Sequence, residues 1–340
     1  MTSAMRCAGV SVLLCCYPLA FSASHVLAQT LTLAPVGVID GPADLVQVQG
    51  KYAYVIADRT LRIFDVTNFS APQRVGVFTF PEHVRAFSVS RSVIYAAADF
   101  FGIRIVDASS PAAPVLRGSL PMRGGLLLVA LAGANILVAT SLVSGLEVVN
   151  VSEVARPVLL TSYFFTDGYA QAVAASGQLA YATDSAGGLY IIDLSKPDSP
   201  AAVSVQETTV MRLGSGDMPA VPSPLVAVSE SVAAPSLKIA LVLERIGGLL
   251  QIHDVSNPRA PVKVTTFRTQ VRPQTLGVRG SLAYIGGPDG LQIVDFSNPS
   301  KPVLAGSFKT AGPAQDVALA DSLVLAAIGK GGVVVLRQSQ

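Results

Sequence analysis

The sequence predicts an all-β fold built from one repeated unit of four short strands, and three observations lead to this prediction. A phrase of the type GLQIVDFSNP recurs about every 42 residues. β-branched and other apolar residues come in runs of strand length, separated by Gly, Pro, Asn and Ser, and no segment carries a helical stripe. Finally, 51% of the residues are hydrophobic and 14% are charged, which excludes a disordered chain.

The repeated phrase ends each time on one anchor position. The anchor residues are Asp65, Asp107, Asn150, Asp193, Asp254, Asp295 and, in a degenerate seventh copy, Arg337. They are separated by 42, 43, 43, 61, 41 and 42 residues. We assign the long interval to an insertion at about 207–238. A period of about 40 to 45 residues with four strands is typical of a β-propeller blade.

The sixth copy shows how each unit divides into strands. Strands are predicted at 275–278, 282–285, 291–294 and 302–308, with Gly-, Asn- and Pro-containing turns between them. A sheet of this size cannot bury both faces alone, so we expect neighbouring sheets to stack around a common axis. By the same register, the apolar segment 125–143 is predicted as two buried strands and not as a membrane span.

Both ends of the repeat region contribute to the ring in this interpretation. Residues 34–39 repeat the phrase of a fourth strand, whereas the last copy stops before a fourth strand of its own. We therefore predict a seven-bladed β-propeller of four-stranded blades, closed by the N-terminal strand of the mature chain lying alongside 332–336. Six or eight blades remain open if the insertion hides or removes one.

The first segment, 1–28, is predicted to be a signal peptide. An early basic residue, an apolar run at 7–21 and the Val-Leu-Ala sequence at 26–28 are typical of such a leader. All three cysteines lie within it, so the remaining single propeller domain, 29–340, would hold no disulfide and no thiolate site. We expect an exported protein, with periplasmic, cell-surface and secreted locations all open.

The phrase GLQIVDFSNP and its siblings LRIFDVTN, GIRIVDASSP and GLYIIDLSKP resemble the LVIVD repeat of exported bacterial and archaeal proteins. The resemblance covers essentially the whole of 29–340. It implies a β-propeller at the cell surface or in the periplasm, and it implies no catalytic residues. Asn150 and Arg337 depart from the Asp of the motif, so their blades are expected to lack the local hydrogen bond considered next.

The anchor carboxylates allow two interpretations. A carboxylate at a strand end, followed two residues later by Ser or Thr, can accept backbone N–H groups in an Asx-turn. A ring of metal ligands is the functional alternative, but residues that recur once per blade would lie far apart. The sequence therefore favours a structural role for the anchors, and it indicates no metal site and no cofactor.

Polar side chains converge on one face of the predicted ring. The turns after second strands and the connections into first strands share this face, which by analogy with other propellers holds most ligand sites. The ligand-binding candidates on it are Asp44, Asp58, His83, Arg85, Asp99, Gln171, Asp184, Gln274 and Gln315. The alternative interpretation of the same residues is a solvated loop surface.

The sequence offers few signals of catalysis. The sequence has no G-x-S-x-G elbow, no P-loop and no GxGxxG after a strand. His83 is the one plausible base, and Asp58 with Asp99 is the carboxylate pair that a hydrolase or lactonase at the channel mouth would use. The sequence has no Trp, which disfavours a sugar-stacking site. We expect no enzyme and no catalytic residues, with that hydrolase as the first alternative.

The expected function is an exported, monomeric binding or scaffold module. Its polar loop face would meet a small ligand, a peptide or an envelope protein at the channel mouth. The near balance of 24 basic and 22 acidic residues, a net charge of +2, argues against a nucleic-acid partner. No membrane span is expected after signal cleavage, and a purely structural envelope component is the second alternative.

Overall fold

The structure, a computed structural model, describes residues 31–122, 124–166, 168–207, 225–230 and 237–339. Within these ranges the chain forms 28 β-strands and a single 3₁₀ turn at Asp99–Phe101. The strands group into seven antiparallel sheets of four strands each. The predicted seven-bladed, all-β propeller is therefore confirmed. The predicted signal peptide, 1–28, lies outside the described residues.

The first three blades follow each other along the chain. Blade one contains β2 (Leu45–Gln49), β3 (Tyr52–Ala57), β4 (Thr60–Asp65) and β5 (Gln73–Thr79). Blade two contains β6 (Ala86–Ser90), β7 (Val93–Ala97), β8 (Ile103–Asp107) and β9 (Val115–Leu120). Blade three contains β10 (Leu126–Ala132), β11 (Ile136–Ser141), β12 (Gly145–Asn150) and β13 (Val158–Tyr163). The apolar segment 125–143 thus forms two strands, as predicted.

The next three blades have the same order, with the first strand innermost. Blade four contains β14 (Ala170–Ser176), β15 (Leu179–Asp184), β16 (Gly188–Asp193) and β17 (Ala201–Glu207). Blade five contains β18 (Leu225–Glu230), β19 (Lys238–Glu244), β20 (Leu249–Asp254) and β21 (Val262–Arg268). Blade six contains β22 (Thr275–Arg279), β23 (Leu282–Gly287), β24 (Gly290–Asp295) and β25 (Val303–Lys309).

The predicted insertion at about 207–238 contains one of these strands. β18 lies inside it and is the innermost strand of blade five, where it pairs with β19. The run of four apolar residues in LVAVSE is typical of a strand that is buried on both faces. The long interval therefore contributes to the ring, and the rest of it, 208–224 and 231–236, lies outside the described residues.

The seventh blade joins the two ends of the described chain. It consists of β26 (Asp316–Ala320), β27 (Leu323–Ala327), β28 (Val333–Ser339) and, as fourth strand, β1 (Thr32–Ile39). β1 is antiparallel to β28, with Ile39 opposite Val333 and Thr32 opposite Ser339. The predicted closure is confirmed, and β1 covers the edge that β28 would otherwise expose.

The hydrophobic core is divided among the blade interfaces. The described residues form seven buried clusters, and each cluster joins two neighbouring sheets. At the closure, for example, Val46 and Val55 of blade one pack with Leu325 and Val335 of blade seven. Each blade is thus stabilised by burial against both neighbours, which explains the high apolar fraction. Within the described ranges, no helix is long and apolar enough to cross a membrane.

The anchor residues close local turns, as the structural interpretation predicted. The side-chain oxygen of the anchor accepts the N–H of the Ser or Thr two residues later, at 2.9 Å in Asp65 and 2.7 Å in Asp295. Asn150 makes the same bond to Ser152 at 2.9 Å, so the expectation that its blade lacks this bond is wrong. The amide oxygen of Asn150 accepts a hydrogen bond from this N–H as a carboxylate oxygen would. Arg337 offers no acceptor there.

Candidate functional site

The innermost strands of the seven blades surround a central channel. A cavity of about 470 Å³ opens in it. Most of its lining residues are aliphatic, among them Leu128, Leu276 and Val317, but the surface that the lining presents to the cavity is more polar than apolar. Among the described lining residues, only Arg85 and Asp316 carry charge. A cavity with a few convergent polar groups is the default candidate for a small-molecule site.

Polar side chains satisfy the inner strand edges that face this channel. The carboxylate of Asp316 accepts the N–H of Val46, the neighbouring edge in blade one, at 2.9 Å. The amide of Gln47 donates to the carbonyl of Phe87 at 2.6 Å and accepts from the N–H of Val89 at 3.0 Å. An unpaired strand edge invites further pairing, so these bonds protect edges that the four-stranded sheets leave open.

Arg85 and Asp99 form an ion pair at the channel mouth. The Arg85 guanidinium lies 3.3 Å from the Asp99 carboxylate. Arg85 leads into β6, and Asp99 begins the 3₁₀ turn between β7 and β8. The two predicted candidates are therefore brought together because the two loops that carry them meet on one face of blade two. Arg85 also lines the cavity.

The loop before β6 is held from both sides, and this fixes the position of Arg85. Phe80 and Val84 are buried beneath it. Arg104 of β8 binds Glu82 through two bonds, at 2.6 and 3.1 Å. A paired guanidinium–carboxylate contact of this kind restricts the orientation of both side chains. Within this ordered loop, His83 is exposed, and no hydrogen bond of its side chain is found among the described residues.

Asp44 and Asp58 lie together at the mouth of blade one. Asp44 accepts the N–H of Asp58 at 3.2 Å. The carbonyl of Asp58 in turn accepts the N–H of Val84 at 3.1 Å, which places Asp58 beside the loop that carries His83. Asp58 is exposed and has a φ of 53°, a left-handed conformation that Asp tolerates in turns. The structure thus groups Asp44, Asp58 and His83 next to Arg85.

Gln171 and Asp184 are buried, unlike the other candidates. Asp184 accepts the N–H of Gly188 at 2.6 Å and so shapes the turn between β15 and β16. Burial raises the pKa of Asp184, and bonds from Gly188 and Tyr190 oppose that rise. The Gln171 side chain is only 2% exposed. Both residues support the loops of blade four from below and do not project from the rim.

Gln274 and Gln315 lead into the innermost strands of blades six and seven. The N–H of Gln274 donates to Gly286, and that of Gln315 donates to Ala327, so both residues extend the pairing of their blades. Gln274 is partly buried and Gln315 is exposed. Both residues stand directly before an innermost strand, as Arg85 does, at the positions that the repeat predicted.

Four exposed apolar side chains in the loops of blades two and three, on the face that carries the ion pair, were not among the predicted candidates. They are Phe100, Phe101, Val143 and Phe164, with 64, 56, 70 and 68% of the residue exposed, and we call them the apolar rim. A Cβ added to Gly125 would contact the Phe100 ring, and one added to Gly124 would contact Val143, so these two side chains flank the same backbone. The sequence signal was an aromatic pair in a turn where polar residues and Gly are usual.

Asp316 was also not among the ligand-binding candidates predicted from the sequence. The sequence places it next to Gln315 at the mouth, but only the structure shows that it enters the cavity. Burial raises the pKa of Asp316 to about 6, while the bonds from Val46, Val317 and Thr275 oppose the rise. In the part of the chain that the structure describes, no three His, Cys, Asp or Glu side chains could hold a metal ion together.

The comparison with protein families agrees with the repeat. The model of the LVIVD repeat matches residues 40–79, 87–121, 167–208 and 273–310. The chain is thus a β-propeller that contains LVIVD repeats. The four matched ranges fall on blades one, two, four and six. No curated protein sequence matches the chain.

Solved structures share the fold of this protein. The computationally designed Ika8 protein superposes with a TM-score of 0.62 at 11% identity, over 91% of this chain and 99% of that one. Raptor from Chaetomium thermophilum superposes with a TM-score of 0.70 at 14% identity, over 92% of this chain and 29% of that one. Similarity at this level of identity shows the architecture alone.

Proposed function

We propose that this protein is an exported, monomeric binding or scaffold module without catalytic activity. Its loop face would take a small ligand, a peptide or an envelope protein at the channel mouth. The observation that carries the proposal is the apolar rim on the face that carries the Arg85–Asp99 pair. Large apolar side chains exposed together on a soluble surface are typical of interaction sites. Export is supported by the leader-like sequence at 1–28.

Two further features support parts of this proposal. Asp184 is bonded within its own turn, whereas Asp58, His83 and Arg85 are exposed on the loops of the mouth, where a ligand can reach them. The seventh sheet is completed within one chain, so the ring closes without a second copy, which supports a monomer. The fold itself is compatible with many activities and carries no functional argument.

The test is affinity capture from an envelope extract with matched variants. The bait is the protein, a Phe100→Ser/Phe101→Ser variant, and a Val158→Ser/Val262→Ser control that changes similarly exposed residues on outer strands. We expect a partner to be captured by the protein and the control and lost from the rim variant. An identical set of partners for all three baits would contradict the proposal.

Catalysis is tested separately at His83 and Asp99. Ester, lactone and glycoside substrates are offered to the protein and to a His83→Ala/Asp99→Asn variant. We expect no turnover by either. Turnover by the unaltered protein that the variant lacks would overturn the non-catalytic part of the proposal and favour the channel-mouth hydrolase.

A further inference from the structure

The described cavity lining carries an unbalanced negative charge. Arg85 and Asp316 are its charged residues. The charge of Arg85 is compensated by Asp99, 3.3 Å away. No ion pair involves Asp316 among the described residues. One carboxylate therefore lines the cavity without an ion-pair partner among the described residues.

The hydrogen bonds of Asp316 hold its carboxylate in place but do not neutralise it. Oδ2 accepts from the N–H of Val46 at 2.9 Å. Oδ1 accepts from the N–H of Val317 at 2.9 Å and from the hydroxyl of Thr275 at 3.2 Å. A carboxylate can accept about four hydrogen bonds, so one acceptor position remains on Oδ2. The donors come from blades six, seven and one, which makes the carboxylate a rigid part of the ring closure.

A buried carboxylate is stabilised most by a hydrogen-bonded cation. Besides Asp316, the polar side chains among the described lining residues are Gln47 and Arg85, and both already have hydrogen-bond partners. The remaining lining residues, such as Leu276 and Val317, offer no side-chain ligands to a hydrated ion, so an organic cation suits the lining better. We propose that this cavity binds a small organic monocation, an ammonium group on an apolar body, with the ammonium on Oδ2 of Asp316. This assignment rests on the proposed binding role of the loop face and names the ligand class for its cavity.

An organic anion, a bare metal ion and a neutral alcohol each fit the cavity less well than an organic cation. An organic anion would need Arg85, but Arg85 is already held by Asp99. A bare metal ion would need several oxygen ligands, whereas a single carboxylate faces the described cavity. An alcohol could donate its O–H to the free position on Oδ2 but would leave the charge uncompensated.

The experiment compares three probes of one shape by calorimetry near neutral pH: phenethylammonium, phenethyl alcohol and phenylacetate. We expect phenethylammonium to bind about tenfold more tightly than the other two, or better, because its hydrogen bond joins two charged groups. Equal or tighter binding of the alcohol or of phenylacetate would overturn the cation assignment while leaving a binding cavity. Binding of none of the three would overturn the cavity as a ligand site, whereas the capture experiment on the apolar rim would stand independently.

Two variants and one control test whether phenethylammonium binds at Asp316 in this cavity. Asp316→Asn should abolish the preference for phenethylammonium, whereas Asp321→Asn, with the same change of net charge on the opposite face of blade seven, should keep it. Because Asp316→Asn also alters the bond to Val46, Val278→Phe provides a second variant that narrows the cavity and leaves Asp316 intact. It should weaken binding of phenethylammonium, and unchanged binding would place the probe elsewhere and overturn the assignment.

Discussion

At the residue scale, one oxygen atom at the anchor position fixes the turn that follows the third strand. The bonds from Thr67 hold the pKa of Asp65 below its usual range, because they stabilise the charged form. Asn150 shows that the charge is not required, since its amide oxygen closes the same turn. The sequence identified these turns because the pattern is local. It missed Asp316, whose partners lie on two other blades.

Substitution of an anchor separates the acceptor from the charge. Asp295→Ala should lower the free energy of unfolding by about 1 to 2 kcal/mol, because the N–H of Ser297 loses its acceptor. Asp295→Asn should cost well under about 1 kcal/mol, as in the natural blade three. Urea unfolding measures both. Equal losses in the two variants would show that charge and not the acceptor matters.

His253 makes stability depend on pH. Its side chain is buried between blades four and five, where Nδ1 lies 2.9 Å from Oε1 of Gln206. Burial, with a smaller effect from Lys263, lowers the pKa of His253 from 6.5 to about 4. The unfolded chain therefore takes up a proton before the folded one does, and stability present above pH 6.5 is lost as the pH falls towards about 4.

The variant His253→Gln should remove this loss. Between about pH 7.5 and about pH 4.5, the protein should lose roughly 2 to 3 kcal/mol more than the variant. The raised pKa of Asp316 acts in the opposite direction, because its contribution favours folding at low pH and is lost as the pH rises through about 6. The difference between the two proteins isolates His253. Parallel curves of unfolding free energy against pH would contradict the prediction.

At the scale of the element, the fourth strand is shaped to fit the next blade. Each fourth strand carries a register shift at the same place, such as that between Ile63 and Phe64 in the pairing of β4 with β5. Beside this shift, a Cβ on Gly76 would overlap the carbonyl oxygen of Pro111 in blade two. In blade four the equivalent residue is Ser204, which donates to the carbonyl of Pro258 at 2.7 Å. The sequence predicted the strand but not this contact.

Gly76→Ala tests the close approach of neighbouring blades. The added methyl group would overlap the backbone of Pro111 in blade two, so we expect a loss of about 2 kcal/mol or more in the free energy of unfolding. Val77→Ala, on the next and half-exposed residue, is the control and should cost less than about 1 kcal/mol. Thermal unfolding distinguishes them. Similar melting temperatures for both variants would indicate that the blades can move apart.

At the scale of the whole molecule, stability depends on the closure of the ring. Thr32 and Ser339 face each other across β1 and β28, and their hydroxyl oxygens lie 2.7 Å apart. Leu31 further donates to the carbonyl of Ala305 at 2.7 Å and so ties the start of blade seven to blade six. Ala43 and Gly329 form a second link, between blades one and seven. Separation of β1 would expose the edge of β28.

A cross-link at the closure should therefore stabilise the ring. A Thr32→Cys/Ser339→Cys variant of the chain without 1–28 can form a single disulfide, which closes a loop between residues 307 positions apart. We expect the oxidised form to exceed the reduced form by about 2 to 5 kcal/mol in unfolding free energy. The reduced form of the same variant is the control. Coinciding urea midpoints would contradict the prediction, because strain in the folded ring would then offset the restriction of the unfolded chain.

The sequence by itself determined the seven blades, the strands within them, the anchor turns and the closure by the N-terminal strand. Each of these follows from local periodicity repeated along the chain, so seven copies of one pattern support a single interpretation. Only the tertiary structure decided which rim residues meet. The Arg85–Asp99 pair joins two loops of blade two that are 14 positions apart, whereas the bond between Thr275 and Asp316 joins two blades over 41 positions. The repeat predicts where the strands lie, but it carries no information on which loop side chains meet.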